Sequence, residues 1–194
     1  MSRRVTALLG AALLGLAAVP APASTLTLRG GITAGIRALD DAGMRTAYGQ
    51  VYVFCPFLEI GLASGWTAGI AYEAAASQTG TLGLYEAAAR FRMTGLEVTA
   101  GYERGFGPFA AYARAGYGLY HYEQTVDDDF ARDYPIDHNA STIVIAGGIK
   151  FSPWRFLFLS AGAKYVPLKV KPYDVSVNLG GWRLLAGIGL AFGL

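Results

Sequence analysis

The chain has 194 residues, a formal net charge of +2, 53% hydrophobic and only 15% charged residues. That is lean in charge for a soluble surface, and a near-neutral balance without a basic stripe excludes a nucleic-acid partner. A mean hydropathy of +0.34 suggests membrane helices, yet beyond residue 24 charge, Gly or Pro breaks every stretch short of the roughly 18 apolar residues a helix needs.

Met1–Ala23 reads as a secretory signal. Arg3 and Arg4 form its positive start, and Val5–Val19 is apolar but too short to span. Ala21-Pro22-Ala23 supplies the small residues of a cleavage site before Ser24. Ser2-Arg3-Arg4 only faintly resembles a twin-arginine start, and the bulky apolar residue usual in such a start is missing at Thr6, so the expected route is Sec. The domain expected after cleavage is 24–194.

Thr25–Arg37 alternates cleanly. Leu28 and Ile32 share one face, and Arg29 and Arg37 share the other with Gly31 and Gly35. Strand side chains repeat every two residues, so these are two sides of one ribbon. A soluble sheet wets its charged face. Here charge keeps company with glycine, and the opposite face is almost purely apolar. That inversion marks a membrane barrel, whose lipid face is apolar and whose interior is polar. Only helices and closed barrels satisfy the backbone in lipid.

Tyr48–Leu62 is the second predicted strand, with Glu59 inward and Leu58, Ile60 and Leu62 outward. Its first half is apolar on both faces and Pro56 interrupts it, leaving the register there open. Inward-facing Val51, Val53 and Phe57 would be the sign of an apolar lumen. Cys55, the single cysteine, excludes a disulfide framework. Thr67–Ala76 places Glu73 inward, with Ile70 and Tyr72 outward. Leu84–Glu103 contains Glu86, Arg90, Arg92 and Thr94, and then Glu97, Thr99 and Glu103 on the opposite parity. A bulge at Thr94-Gly95 would keep all of these charges inside.

Phe109–Tyr122 turns Tyr112, Arg114, Gly116 and Gly118 inward. The acidic segment after it, from Glu123 through Asp127, Asp128, Asp129, Asp133 and Asp137, lacks EF-hand spacing and reads as a solvated loop. Ser141–Phe151 turns Lys150 inward and Ile143, Ile145 and Ile149 outward. Phe156–Val166 turns Lys164 inward and Leu157, Leu159 and Tyr165 outward. The last strand, Gly181–Leu194, turns Arg183 inward and Trp182, Leu184, Ile188, Phe192 and Leu194 outward.

These make eight strands. Tight connections at Ser64-Gly65, Gly105–Pro108 and Ser152-Pro153 alternate with longer polar ones, as in up-and-down barrels. Ten strands is the alternative, with Thr94-Gly95 as a turn and Pro56 dividing the second strand. Trp66, Phe106, Phe109, Phe151, Trp154 and Phe192 cluster near the tight turns. Tyr72, Tyr85, Tyr120, Tyr122 and Tyr165 lie toward the loops. Two such belts match two membrane interfaces.

With Glu59-Ile60-Gly61-Leu62, the run Pro108–Gly118 and the glycine-rich Leu179–Phe192, the chain resembles small outer-membrane β-barrel proteins of the OmpA/OmpX/OmpW type. The resemblance covers roughly residues 25–194. It implies an all-β, closed antiparallel transmembrane barrel in the outer membrane of a Gram-negative cell. It also implies monomers that meet outer-membrane lipid, lipopolysaccharide and the barrel-assembly machinery. Such barrels commonly end in an aromatic residue read during assembly. Here Phe192 stands two places before Leu194 on the same face, and both are expected to serve.

An eight-stranded interior is just wide enough for side chains to fill. Arg29, Glu59, Glu73, Arg90, Arg92, Glu97, Arg114, Lys150, Lys164 and Arg183 are therefore expected to form a charge network that plugs the lumen. The expected role is structural or surface-interacting. A narrow porin or a conduit for small apolar solutes is the alternative, and a lipid A-modifying enzyme ranks below both. No cofactor or metal is expected. Catalysis is not expected either: His138 and Ser141 have opposite parity, which separates a base from a nucleophile.

Overall fold

The computed structural model describes residues 26–82, 87–127, 136–171 and 176–193. The signal, Tyr85, Glu86, Asp128, Asp129, Asp133 and Leu194 lie outside the described residues.

Among the described residues, eleven strands and one helix follow one another. They are β1 (Leu26–Leu39), α1 (Ala42–Tyr48), β2 (Val51–Leu62), β3 (Trp66–Ala75), β4 (Gln78–Leu82), β5 (Ala87–Phe106), β6 (Phe109–Asp127), β7 (Ile136–Trp154), β8 (Leu157–Val166), β9 (Lys169–Val170), β10 (Val177–Asn178) and β11 (Gly181–Gly193). The sheet runs β3-β2-β1-β11-β8-β7-β6-β5, and β3 pairs with β5 to close the ring. Eight antiparallel strands form the barrel. β4 lies outside this ring of eight and continues along the upper part of β5, from Gln78 opposite Phe91 to Leu82 opposite Ala87. The eight-strand expectation holds, and the ten-strand alternative does not.

Three tight turns define one end. Gly65 and Gly107 have φ of 93° and 63°, which favours glycine in the first two. The third turn is Arg155-Phe156. Ser152-Pro153, expected there, instead lies within β7, where the register shifts between Phe151 and Trp154.

Alternation along the strands sets two surfaces. Leu58, Ile70, Val98, Leu119, Ile145 and Ile188 are exposed around the outside. Trp66, Phe106, Phe109, Trp154 and Phe192 are exposed near the turns, and Tyr52, Tyr72 and Trp182 near the loops. Tyr120 and Tyr122 do not join the loop-side belt: they are buried inside. They continue the inward parity of Arg114 and Gly118. Gly118 makes room for the first of them, since a Cβ there would meet Tyr120 Cε2 at 2.6 Å.

β5, β6 and β7 have 20, 19 and 19 residues, whereas a membrane-crossing strand needs about 9–11. Their loop-side halves therefore rise past the apolar band, edged by β4. Glu123 belongs to β6 and Asp137 to β7, opposite one another, and not to a loop. β5 pairs with β6 without a break from Ala88 opposite Asp127 to Phe106 opposite Phe109. The expected bulge at Thr94-Gly95 is absent.

The loop-side mouth is covered from two directions. In α1, Asp41 accepts from Met44 N at 3.0 Å as N-cap, and Gly49 at φ 64° ends the helix. Met44 and Tyr48 turn inward, and Tyr48 lies 5.4 Å from Phe91, ring to ring. The β9–β10 hairpin and its flanks add Leu168, Val170 and Leu179 to the same buried cluster. Val51, Val53, Phe91, Met93, Tyr120 and Val166 complete it from the barrel wall. The apolar first half of β2 thus resolves into inward Val51, Val53 and Cys55 and outward Tyr52 and Phe54.

Candidate functional site

Below the apolar cluster the interior is charged, in two groups stacked along the barrel. The group nearer the turns centres on Glu59. Arg29 Nη1 lies 2.8 Å and Lys150 Nζ 2.9 Å from its Oε1, and Arg114 pairs with its Oε2. Glu103 completes the group, at 2.9 Å from Arg29 Nη2 and 2.6 Å from Lys150 Nζ. Tyr112 stands among the cations, its ring centroid 4.6 Å from the Arg114 guanidinium carbon. A cation over an aromatic face is attracted by its quadrupole.

The second group centres on Glu73 and Glu97. Lys164 Nζ lies 2.8 Å from Glu73 Oε2 and 2.7 Å from Glu97 Oε1. Arg183 Nη2 lies 2.8 Å from Glu73 Oε1, and Arg37 Nη1 stands 4.0 Å from the same oxygen. Tyr120 donates its hydroxyl to Glu97 Oε1 at 2.6 Å. Arg37 also donates to the Leu179 carbonyl, so the charge reaches the hairpin that covers the mouth. Arg37, Arg183, Glu59, Glu73, Glu97 and Lys164 are all buried. Buried charges of this kind are tolerable only when paired.

Between the two groups lies a cavity of about 90 Å³, lined in part by Thr33, Cys55, Phe57, Tyr112, Phe158 and Lys164. The β2–β3 ladder beside it lapses for two residues without a change of register. β2 and β3 pair at Phe54–Ala74 and again at Phe57–Ala71, with no partners registered for Cys55 and Pro56 between them. Proline has no N–H to give to a ladder.

The structure brings Arg29, Glu59, Glu73, Glu97, Arg114, Lys150, Lys164 and Arg183 together, with Glu103 and Arg37. It does not bring Arg90 and Arg92 to them. Both lie outward and exposed, while Phe91 and Met93 between and beside them are buried inside. The reason is height. At this level the outer face has cleared the apolar band, so an outward charge meets no lipid, and β5 has no need of a bulge.

On the same outer face, His121 Nε2 lies 3.1 Å from Glu123 Oε1, and its Nδ1 3.1 Å from Asn139 Oδ1. The bond to Glu123 raises the imidazole pKa above its ordinary value, helped by Asn139 and by the charges of Asp137 and Glu123. Spacing alone does not reveal this cluster, because the sequence predicts this strand only from Ser141. Ser141 also faces outward and accepts from Tyr117 at 2.7 Å. His138 lies on the opposite parity and contacts Tyr122, ring centroids 6.1 Å apart. Neither histidine is in reach of an activated hydroxyl among these contacts.

Residues 9–191 match the family model described as the outer membrane protein beta-barrel domain. No curated protein sequence matches. Among solved structures, OprG of Pseudomonas aeruginosa is similar at TM-score 0.62 and 14% identity, covering 89% of this chain and 97% of that one. Ail, the attachment invasion locus protein of Yersinia pestis, solved with the heparin analogue sucrose octasulfate, is similar at TM-score 0.55 and 13% identity, covering 87% and 99%. Neisserial surface protein A is similar at TM-score 0.55 and 14% identity, covering 86% and 97%.

Proposed function

Since this chain belongs to the outer membrane protein beta-barrel domain family, we propose that it is a non-catalytic outer-membrane protein with a structural or surface-interaction role. Its lumen is closed by its own inward side chains. The observation that carries this reading is the stacking of two paired charge groups beneath a buried apolar cluster. Each cation of the stack has a carboxylate partner, and α1 with the β9–β10 hairpin covers the loop side. A surface role is supported by the part of β5–β7 that rises past the apolar band with Arg90, Arg92, Glu123 and Asp137 exposed. The protein reaches the membrane by Sec export with cleavage after Ala23, inserts through the barrel-assembly machinery, and works as a monomer among outer-membrane lipid and lipopolysaccharide.

Planar-bilayer recording tests the closed lumen. The purified protein should show little or no stable conductance. Large, steady, ion-selective channels would overturn the plug and favour a narrow porin.

One observation favours a second reading. The β2–β3 ladder lacks pairing at Cys55-Pro56 beside the mid-barrel cavity, and Phe57 and Phe158 give that cavity an apolar side. A small apolar solute could leave through the wall there without any ion-conducting path. A transport assay with such a solute, run beside the conductance measurement, separates the two. Protein-dependent uptake without conductance would favour the conduit.

A further inference from the structure

Above the apolar band, the outer face of β6 and β7 carries a square of four polar side chains. His121 is directly opposite Asn139, and Glu123 is directly opposite Asp137. Alternate residues share a face, so all four project outward together. Opposite pairs on one face hold their Cβ atoms about 4.5–5.5 Å apart, close enough for the side chains to meet. His121 is the hub, with Glu123 Oε1 at 3.1 Å, Asn139 Oδ1 at 3.1 Å and Asp137 Oδ1 at 3.5 Å. One donor atom from each of His121, Glu123 and Asp137 lies within 4.8 Å of the others.

A second observation concerns charge. Like charges directly opposite one another destabilise a sheet, and Glu123 and Asp137 are such a pair. Arg92 is the cross-strand neighbour of Glu123 on the other side, yet among the described residues no lysine or arginine forms an ion pair with either acid. Their one cationic contact among those residues is His121. Among the described residues the square is thus two carboxylates, an amide oxygen and an imidazole, with Arg92 beside Glu123 but not paired to it.

We propose that His121, Glu123 and Asp137 form a divalent-cation site of the zinc class, with the Asn139 carbonyl oxygen beside it. Imidazole together with carboxylate suits Zn²⁺, whereas Ca²⁺ and Mg²⁺ take oxygen donors alone. Zn²⁺ sits about 2.0–2.2 Å from such donors, which places tetrahedral ligand atoms roughly 3.3–3.6 Å apart. One donor atom from each of the three residues already lies within 4.8 Å of the others, so a side-chain shift of about 1 Å closes the set on one ion. The ion takes the lone pair of one ring nitrogen, and the proton that nitrogen carries in the imidazolium passes to solvent. Glu123 and Asp137 now hold opposite edges of the ring. All three side chains are well exposed, at 39%, 48% and 63%, and can turn to share one ion. A cation there would tie β6 to β7 where the two strands leave the membrane, and would cancel the repulsion between the acids. The proposal is independent of whether the lumen conducts.

The test uses untagged protein purified from outer membranes in detergent, stripped with EDTA and titrated with Zn²⁺ by calorimetry. Heat-modifiability confirms the fold of every variant first. The folded protein should bind one Zn²⁺ per chain, His121→Ala and Asp137→Asn should each weaken binding at least tenfold, and His138→Ala should leave it unchanged. No uptake by the unmodified protein would overturn the site, leaving an imidazolium held between carboxylates. So would equal affinity in the His121 and Asp137 variants. Ring NMR signals of the unmodified protein decide the matter without a variant. Zn²⁺ should move those of His121 and not those of His138, and the reverse would sink the proposal.

Discussion

Lys164 grips both carboxylate oxygens of Glu97, at 2.7 and 2.9 Å, from β8 across the interior to β5. The same ammonium holds Glu73 on β3 at 2.8 Å. Replacing Lys164 by Met should leave Glu97 with only the Tyr120 hydroxyl among these partners. Removing one member of a buried pair typically costs about 3–5 kcal/mol. Urea unfolding of the barrel in micelles should show a loss of that order, and Arg114→Ala should act in the same direction but more weakly, because Glu59 keeps Arg29 and Lys150. Adding Glu97→Gln to Lys164→Met should recover part of the loss, since contacting residues are not additive. Strict additivity of the two substitutions would contradict the pairing.

The lipid face makes a separate prediction. Ile188→Arg on β11, near mid-membrane, should destabilise the barrel by about 2–4 kcal/mol. Spin labels at Leu28, Ile32, Ile145, Leu159, Leu184 and Ile188 should report lipid. Labels at Arg29, Arg114, Lys164 and Arg183 should not. A lipid-accessible Arg114 with a shielded Ile145 would reverse the two faces.

β5 above the apolar band offers a test of register. Cysteines at Arg90 and Arg92 should react with a membrane-impermeant maleimide on intact cells. Cysteines at Phe91 and Met93 should react far more slowly, because both native side chains are buried. Equal rates at all four positions would mean that the inward and outward sides are not fixed there.

Assembly depends, in this reading, on the end of β11. Phe192 is outward and exposed. Replacing Phe192 and Leu194 by Ser should leave export intact and reduce insertion, seen as loss of heat-modifiable, protease-resistant barrel. Normal amounts of that barrel in the double variant would remove these residues from the assembly signal.

Parity along each strand made the two faces legible from the sequence. It placed Glu59, Glu73, Arg114, Lys150, Lys164 and Arg183 on the sides where they are found. It failed where a rule was carried past its range. Keeping Arg90 and Arg92 inside required a bulge, and that requirement assumed lipid along the whole of β5. The strand outlasts the membrane, so its outer face there is free to carry charge. Tyr120 and Tyr122 share the parity of Gly118, yet their place toward the loops points to the aromatic belt instead. The sequence predicts a second strand from Tyr48 and no helix before it, although Asp41 and Gly49 stand at the cap positions of α1. Which acid meets which base was not legible at all. Arg29 and Glu103 are 74 residues apart, and their meeting depends on how the ring closes.

That distance has a consequence for how the barrel comes into being. The cationic partners of Glu59 and Glu103 come from β1, β6 and β7, and those of Glu73 and Glu97 from β1, β8 and β11. No hairpin contains a complete set. Until the first strand finds the last, and β3 finds β5, several of these ions face one another across an unsealed gap. Closing the wall and neutralising its contents are then a single event. Partly sealed forms should be too costly to accumulate, and the chain should pass cooperatively from open sheet to shut cylinder.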